Sequence, residues 1–305
     1  SCRASYPFST LWKYIFHTVE NCAARDSRRR DMGLIQPFAV GRVGAEYLPM
    51  AATELAIEVD GLTRRFPRCE ALGGVSFQVP RGELTGILGP NASGKTTLLL
   101  ILTGLLVPTT GRVRVAGFDP TTQWLEVRRR IGFLPENVPL YPEMRVQEYL
   151  AFRGRLKGLR GKRLAERIRQ VLEPCGLGEM ARRPIGTLSR GFRQRVGMAD
   201  CLLTEPEILL LDEPLAGLDA GQTQRFHEML REQSGRRTIL FSTHVLAEAE
   251  QLCQRVLVLN GGRLAANDTP AQLAAATPTG SFTDAFLRLT TLPPRVQNPR
   301  GRSAR

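Results

Sequence analysis

Three groups of residues in this 305-residue chain could do chemistry: a lysine and threonine closing a glycine-bounded loop, two adjacent carboxylates, and a histidine ending an apolar run. The loop is Gly89-Pro90-Asn91-Ala92-Ser93-Gly94-Lys95-Thr96-Thr97, which fits G-x-x-x-x-G-K-[ST]. Backbone N–H groups in such a loop converge on anionic oxygens, and the helix behind it adds the positive end of its dipole. Lys95 is placed to reach the β- and γ-phosphates of a nucleoside triphosphate, and the Thr96 hydroxyl to ligate Mg²⁺. The carboxylates are Asp212 and Glu213, ending the run Ile208-Leu209-Leu210-Leu211. Asp212 can hold Mg²⁺ through water, and Glu213 is placed to orient and polarise an attacking water. His244 closes Ser242-Thr243-His244; a lone histidine after a strand is more often structural, so its reading depends on the rest of the series.

These groups need a scaffold that brings strand ends together. The apolar run Leu84–Leu88 precedes the loop and reads as a buried strand, and the run from Thr96 as the start of a buried helix. Further strand-like runs lie at 55–59, 75–79, 112–116, 131–134, 207–211, 238–242 and 256–259. Those at 84–88, 207–211 and 238–242 are apolar throughout, which predicts a parallel sheet covered on both faces by helices. Carboxylates at the C-terminal edge of such a sheet stand beside the loop, where open α/β folds bind ligands. Between about 136 and 190 only helical spacing appears, over Glu143–Lys157 and Lys162–Leu172, which predicts a helical subdomain. After Asn260-Gly261-Gly262, a strand turn and a helix over Pro270–Ala276 lead to Phe282–Leu289. Residues 291–305 are read as a disordered basic tail. Residues 1–50 lack periodicity, and Met50 leads directly into the first strand. The expectation is that Met50 is the native start and that the segment before it is a disordered or spurious extension; a transit peptide is the alternative, against which Glu20, Asp26 and Asp31 count.

The net charge of +13 is spread, with four arginines and no acid in 291–305 and only 31 basic against 25 acidic residues over 51–290. No basic stripe with interleaved aromatics appears there, so no nucleic-acid partner is expected. Six scattered cysteines without a C-x-x-C pair fit neither a disulfide framework nor a zinc site and are read as free thiols. The longest apolar stretch, Thr96–Val107, is assigned to the helix behind the loop and is far short of a membrane span. Any membrane part must come from another chain.

Taken in order, these residues resemble the nucleotide-binding subunit of an ABC transporter, an ABC-type ATPase. The family's second motif, L-S-G-G-Q, is matched by Leu188-Ser189-Arg190-Gly191-Phe192-Arg193-Gln194-Arg195, with Ser189 and Gly191 retained. Ala216-Gly217-Leu218-Asp219 resembles the family's D-loop, His244 its switch histidine, and Phe66 the aromatic that stacks on adenine, with a buried Phe as the competing reading. The resemblance covers about 54–290 and implies a P-loop NTPase fold: a mostly parallel sheet flanked by helices, an antiparallel β edge and a helical subdomain. It implies ATP and Mg²⁺ as ligands, with Thr96, Asp212 and Glu136 near the metal. It also implies a head-to-tail dimer in which Ser189 and Gly191 grip the γ-phosphate held by a second ATPase subunit, with Asp219 tying the two sites together. The implied partners are that subunit, as homodimer or heterodimer, and an integral membrane permease. The implied location is peripheral, on the cytoplasmic face of the plasma membrane.

Two positions depart from the family. Ala92 stands where glycine is usual, so the backbone must avoid φ > 0 or accept its cost. Glu136 replaces a glutamine that senses Mg²⁺ and the membrane subunit. The L-S-x-G-x-x-Q-R form, the Pro135-Glu136-Asn137 form and Ser281–Thr290 resemble type-two export ATPases of the gliding-motility and sodium-efflux kinds. A non-transport ABC ATPase acting on ribosomes or DNA is the alternative; those relatives carry two cassettes or a long coiled coil, whereas this chain has one cassette and a short insertion. A non-hydrolysing, ATP-gated module is a third reading, against which Glu213 and His244 count.

Overall fold

The structure, a computed structural model, describes residues 54–291. The extension expected over 1–50 and the tail beyond Thr291 lie outside the described residues. Strands β1 (Leu55–Phe66), β2 (Cys69–Pro80) and β4 (Thr110–Val115) form an antiparallel sheet in the order β2-β1-β4. The second sheet runs β5 (Ile131–Leu134), β6 (Ile208–Asp212), β7 (Thr238–Thr243), β3 (Leu84–Leu88), β8 (Arg255–Asn260), β9 (Arg263–Asp268). It is parallel from β5 to β8, and β9 pairs antiparallel to β8 at the edge.

The uniformly apolar strands follow from two cores, one on each face of this sheet. Ile87, Leu210, Leu240 and Leu257 point into one, shared with the antiparallel sheet and with Leu98, Leu99, Ile101 and Leu102 of α1 (Lys95–Leu102). Leu88, Leu209, Leu211, Phe241 and Val258 point into the other. A strand buried on both faces has no polar side to alternate with. The second core is closed by helices α3 (Val146–Leu156), α4 (Gly161–Leu172), α5 (Arg190–Leu202), α6 (Ala220–Gln233), α7 (Leu246–Leu252), α8 (Pro270–Ala275) and α9 (Phe282–Thr291). A short α2 (Trp124–Arg130) leads into β5.

Three elements differ from the expected bounds. Strand β2 begins at Cys69 rather than at 75, pairing with β1 down to Phe66. The first strand continues to Phe66 rather than stopping at 59, because a bulge between Val59 and Leu62, with Gly61 at φ 56, breaks the alternation. The helix behind the loop ends at Leu102, not near Val107, since Gly104 at φ 67 turns the chain left-handed just past its end.

Helices α3 and α4 lie between β5 and β6. Tyr149 and Leu150 of α3 and Leu164 and Val171 of α4 are buried with Val196 and Ala199 of α5. Charge also joins α3 to α5: Asp200 lies 3.0 Å from Arg153 Nη2 and 2.8 Å from Lys157 Nζ. Arg167 of α4 donates to the carbonyls of Leu202 and Leu203, which are left without intrahelical partners at the end of α5.

Candidate functional site

Three neighbouring strand ends build the site. In the order β6-β7-β3, Asp212 is level with Ser242, and Leu88 with Thr243. The chain leaves β3 into the loop, β6 into Glu213 and β7 into His244, so residues far apart in sequence meet at one edge.

The loop wraps its own lysine. Lys95 is buried, and its Nζ donates to the carbonyls of Gly89 at 2.9 Å and Pro90 at 3.3 Å. Gly94 has φ 104, and a Cβ there would sit 2.6 Å from the Ala71 carbonyl oxygen. A Cβ on Gly89 would lie 2.3 Å from the Leu259 carbonyl oxygen, so both glycines are required for close packing. Ala92 takes φ 63: the backbone accepts the left-handed conformation in spite of its side chain. That conformation costs an L-residue about 1–2 kcal/mol. Ser93 is buried with its Oγ unpartnered, while Asn91 and Thr96 are exposed and Thr97 half-buried.

The carboxylates are held by Ser242, to which the sequence alone assigns no role. Ser242 Oγ donates to Asp212 Oδ1 at 2.6 Å and accepts from the Glu213 backbone N–H at 2.9 Å. Its signal in the sequence is only its position opposite Asp212, which requires knowing that β6 and β7 are neighbours. Burial pushes the Asp212 carboxyl upward; hydrogen bonds from Ser242 and Thr96 oppose this, and the Glu213 and Glu136 carboxylates reinforce it. Glu213 has φ 46, a left-handed backbone that turns its side chain back toward the loop. There its Oε1 lies 3.6 Å from Lys95 Nζ and its Oε2 2.8 Å from His244 Nδ1. His244 is otherwise exposed, with 54% of its side chain accessible. Glu248, also without a signal in the sequence reading, accepts from the Thr243 hydroxyl at 2.5 Å, and burial pushes its carboxyl upward.

The donors gathered here are a hydroxyl and carboxylates, the hard oxygens that suit Mg²⁺, which keeps several of its own waters and needs few protein ligands. A buried carboxylate that two others push upward gains from a divalent cation beside it. The residues therefore fit this metal.

Apart from Glu136, whose carboxylate acts on Asp212, the remaining positions make their contacts elsewhere. Ser189 caps α5, its hydroxyl accepting weakly from the Phe192 N–H at 3.4 Å. Gly191 is buried under Gln222, whose Oε1 lies 2.0 Å from where a Cβ would be. Asp219 caps α6, accepting from Gln222 N–H at 2.8 Å, so the two helix starts are interlocked. Phe66 is half-buried rather than a core residue, with the Arg64 guanidinium 4.6 Å over its ring. Glu136 is exposed just past β5. Cys175, Cys201 and Cys253 are free and buried, which pushes all three thiols up, Cys175 and Cys201 to about 12.

A family model described as ABC transporter matches residues 72–216. An uncharacterized ABC transporter ATP-binding protein of Bacillus subtilis, YxlF, is 39% identical over 74% of this chain and 75% of its own length. The daunorubicin resistance ATP-binding protein DrrA3 of Streptomyces coeruleorubidus is 39% identical over 77% and 74%. Nod factor export ATP-binding protein I of Ralstonia nicotianae is 36% identical over 71% and 68%. Among solved structures, a bacterial ABC transporter cassette determined as a dimer superimposes with a TM-score of 0.63 at 26% identity, covering 70% of this chain and 98% of that one. The same cassette in a post-hydrolysis state with ADP and Pi gives 0.64 at 25% identity over the same shares.

Proposed function

The chain belongs to the ABC transporter ATP-binding family, and from that premise we propose that it is the subunit whose ATP hydrolysis drives a separate membrane permease in the direction of export. The observation that carries this reading is the convergence of Lys95, Glu213 and His244, with separations of 3.6 Å and 2.8 Å, at adjacent strand ends. The names of the resistance and Nod factor export relatives favour export.

Backbone N–H groups of 89–97 and Lys95 Nζ bind the β- and γ-phosphates, and Phe66 offers the ring face away from Arg64 to adenine. Thr96 and Asp212 would hold Mg²⁺, with Glu136 beside them; when bound, the metal neutralises charge on the β- and γ-oxygens. Glu213 accepts a proton from the water that attacks the γ-phosphorus. His244 fixes that carboxylate through Nδ1 and reaches toward the γ-phosphate. Ser242 locks Asp212 and the Glu213 backbone in one geometry. Ser189, Gly191 and Asp219 complete the site of a second ATPase subunit, so the catalytic unit is a dimer. Among the described residues no helix is long and apolar enough to cross a membrane. As the partner of a membrane permease, the chain is placed peripherally, against the permease's cytoplasmic face.

Glu213→Gln tests the central assignment. It is expected to bind ATP at near-parent affinity, lose turnover by at least about a hundredfold, and accumulate as an ATP-bound dimer in size-exclusion chromatography. Hydrolysis at the parent rate would overturn the role given to Glu213. Lys95→Ala should abolish ATP binding in calorimetry.

A further inference from the structure

The carboxy-terminal helix is tied to the phosphate loop through one side chain. Asn260 ends β8, and its Nδ2 donates to the carbonyls of Leu289 and Thr290, each at 3.1 Å. Those carbonyls belong to the last described turn of α9. The next two residues, Gly261 at φ 53 and Gly262 at φ 75, make the tight turn into β9. That turn supports the loop directly: the Gly262 N–H donates to the Ser93 carbonyl at 3.1 Å, and its own carbonyl accepts from the Gly73 N–H at 2.8 Å. A Cβ on Gly262 would lie 2.6 Å from the Ala71 carbonyl oxygen, the same atom that bars a Cβ from Gly94. One residue before Asn260, the Leu259 carbonyl packs against Gly89. The segment 259–262 thus braces the loop at its first glycine and at Ser93, and α9 is bonded to the middle of that brace.

We propose that Asn260 is a positioning residue for ATP binding, through which α9 holds the phosphate loop in its binding geometry. Freed from α9, the 260–262 turn can rock about its two glycines, and the Gly262–Ser93 bond lengthens. The N–H groups that must converge on phosphate then lose their preset arrangement. Affinity for ATP suffers, while Glu213, whose backbone is bonded to Ser242 and whose carboxylate is bonded to His244 besides its contact with Lys95, keeps its place. The proposal rests on the reading of 89–97 as the phosphate loop.

The test uses the full chain. Asn260→Asp keeps the shape but replaces the N–H₂ donor with a carboxylate facing the negative end of α9. It is expected to raise the Kd for ATP three- to tenfold, the range of a lost hydrogen bond, with kcat at saturating ATP within twofold of the parent. Hydrogen exchange should quicken in peptides spanning 89–98. Asn260→Gln, which retains a donating carboxamide, should restore Kd to within twofold. A lowered melting temperature with unchanged Kd and unchanged exchange in 89–98 would overturn the proposal, as would equal loss in the Gln and Asp variants. Lys95→Ala, run alongside, separates the two readings. If it leaves ATP binding intact, the loop assignment is wrong; if it abolishes binding while Asn260→Asp does nothing, only the link to α9 is wrong.

Discussion

Replacing Asp200 by Asn should destabilise the fold through charge rather than packing. Asp200 has 11% of its side chain exposed, between Arg153 at 3.0 Å and Lys157 at 2.8 Å, on the helix that Ser189 begins. Removing one member of a fully buried ion pair costs about 3–5 kcal/mol, because the partner is left charged and unsolvated. Here the partners are 23% and 26% exposed, so water recovers part of that loss. The expected cost is about 2–3 kcal/mol. For a domain of this size that lowers Tm by about 4–12 °C, measured by circular dichroism at pH 7. Replacing all three, with Arg153→Met, Lys157→Met and Asp200→Leu, should return stability to within about 1 kcal/mol of the parent, since an apolar triad leaves no charge stranded.

The pH dependence checks the same cause. Burial alone pushes the Asp200 carboxyl up, but Lys157 and Arg153 outweigh it and hold it below the ordinary carboxylate range. A depressed native pKa stabilises the fold above the unfolded value of about 3.9, and that stability is lost as pH falls through the native pKa. The gap in Tm between parent and Asp200→Asn should therefore be constant from pH 7 to about 5 and close below about 4. A gap of under about 1 °C at pH 7, or one that widens in acid, would refute the reasoning.

Three other outcomes follow from single contacts. Ala92→Gly relieves a left-handed alanine at φ 63 but frees the unfolded chain, for a net gain of about 0.5–1 kcal/mol and a Tm higher by about 1–4 °C. Ser242→Ala removes the hydroxyl that joins Asp212 to the Glu213 N–H, and steady-state kinetics should show kcat down about ten- to a hundredfold, since the bond to the Asp212 carboxylate alone carries about 1.5–3 kcal/mol. Glu136→Gln should keep ATP binding and hydrolysis while changing how strongly the permease stimulates turnover; loss of nucleotide binding would contradict the place given to Glu136.

The sequence spoke clearly where chemistry and local backbone coincide. Gly89, Gly94 and Lys95 are specified within nine residues, and a strand ending in Asp212-Glu213 announces its own edge. Residues whose meaning depends on pairing across the sheet stayed silent. Ser242 is one serine among many until β6 lies beside β7, and Asn260 is a turn residue until α9 comes back to meet it. The bulge at Gly61 hid half of β1 for the same reason, because alternation is a local signal and a bulge is settled by the neighbouring strand. A further asymmetry separates the two halves of the site. Ser189 and Asp219 each cap their own helix and are interlocked through Gln222, with no side chain of this chain's own hydrolytic cluster among those contacts. The Glu213 cluster, by contrast, is joined to the loop through Lys95 and to His244. The Glu213 cluster and the loop thus form one connected group and the Ser189–Asp219 pair another, the division that the proposed dimer, in which each copy completes the other's site, requires.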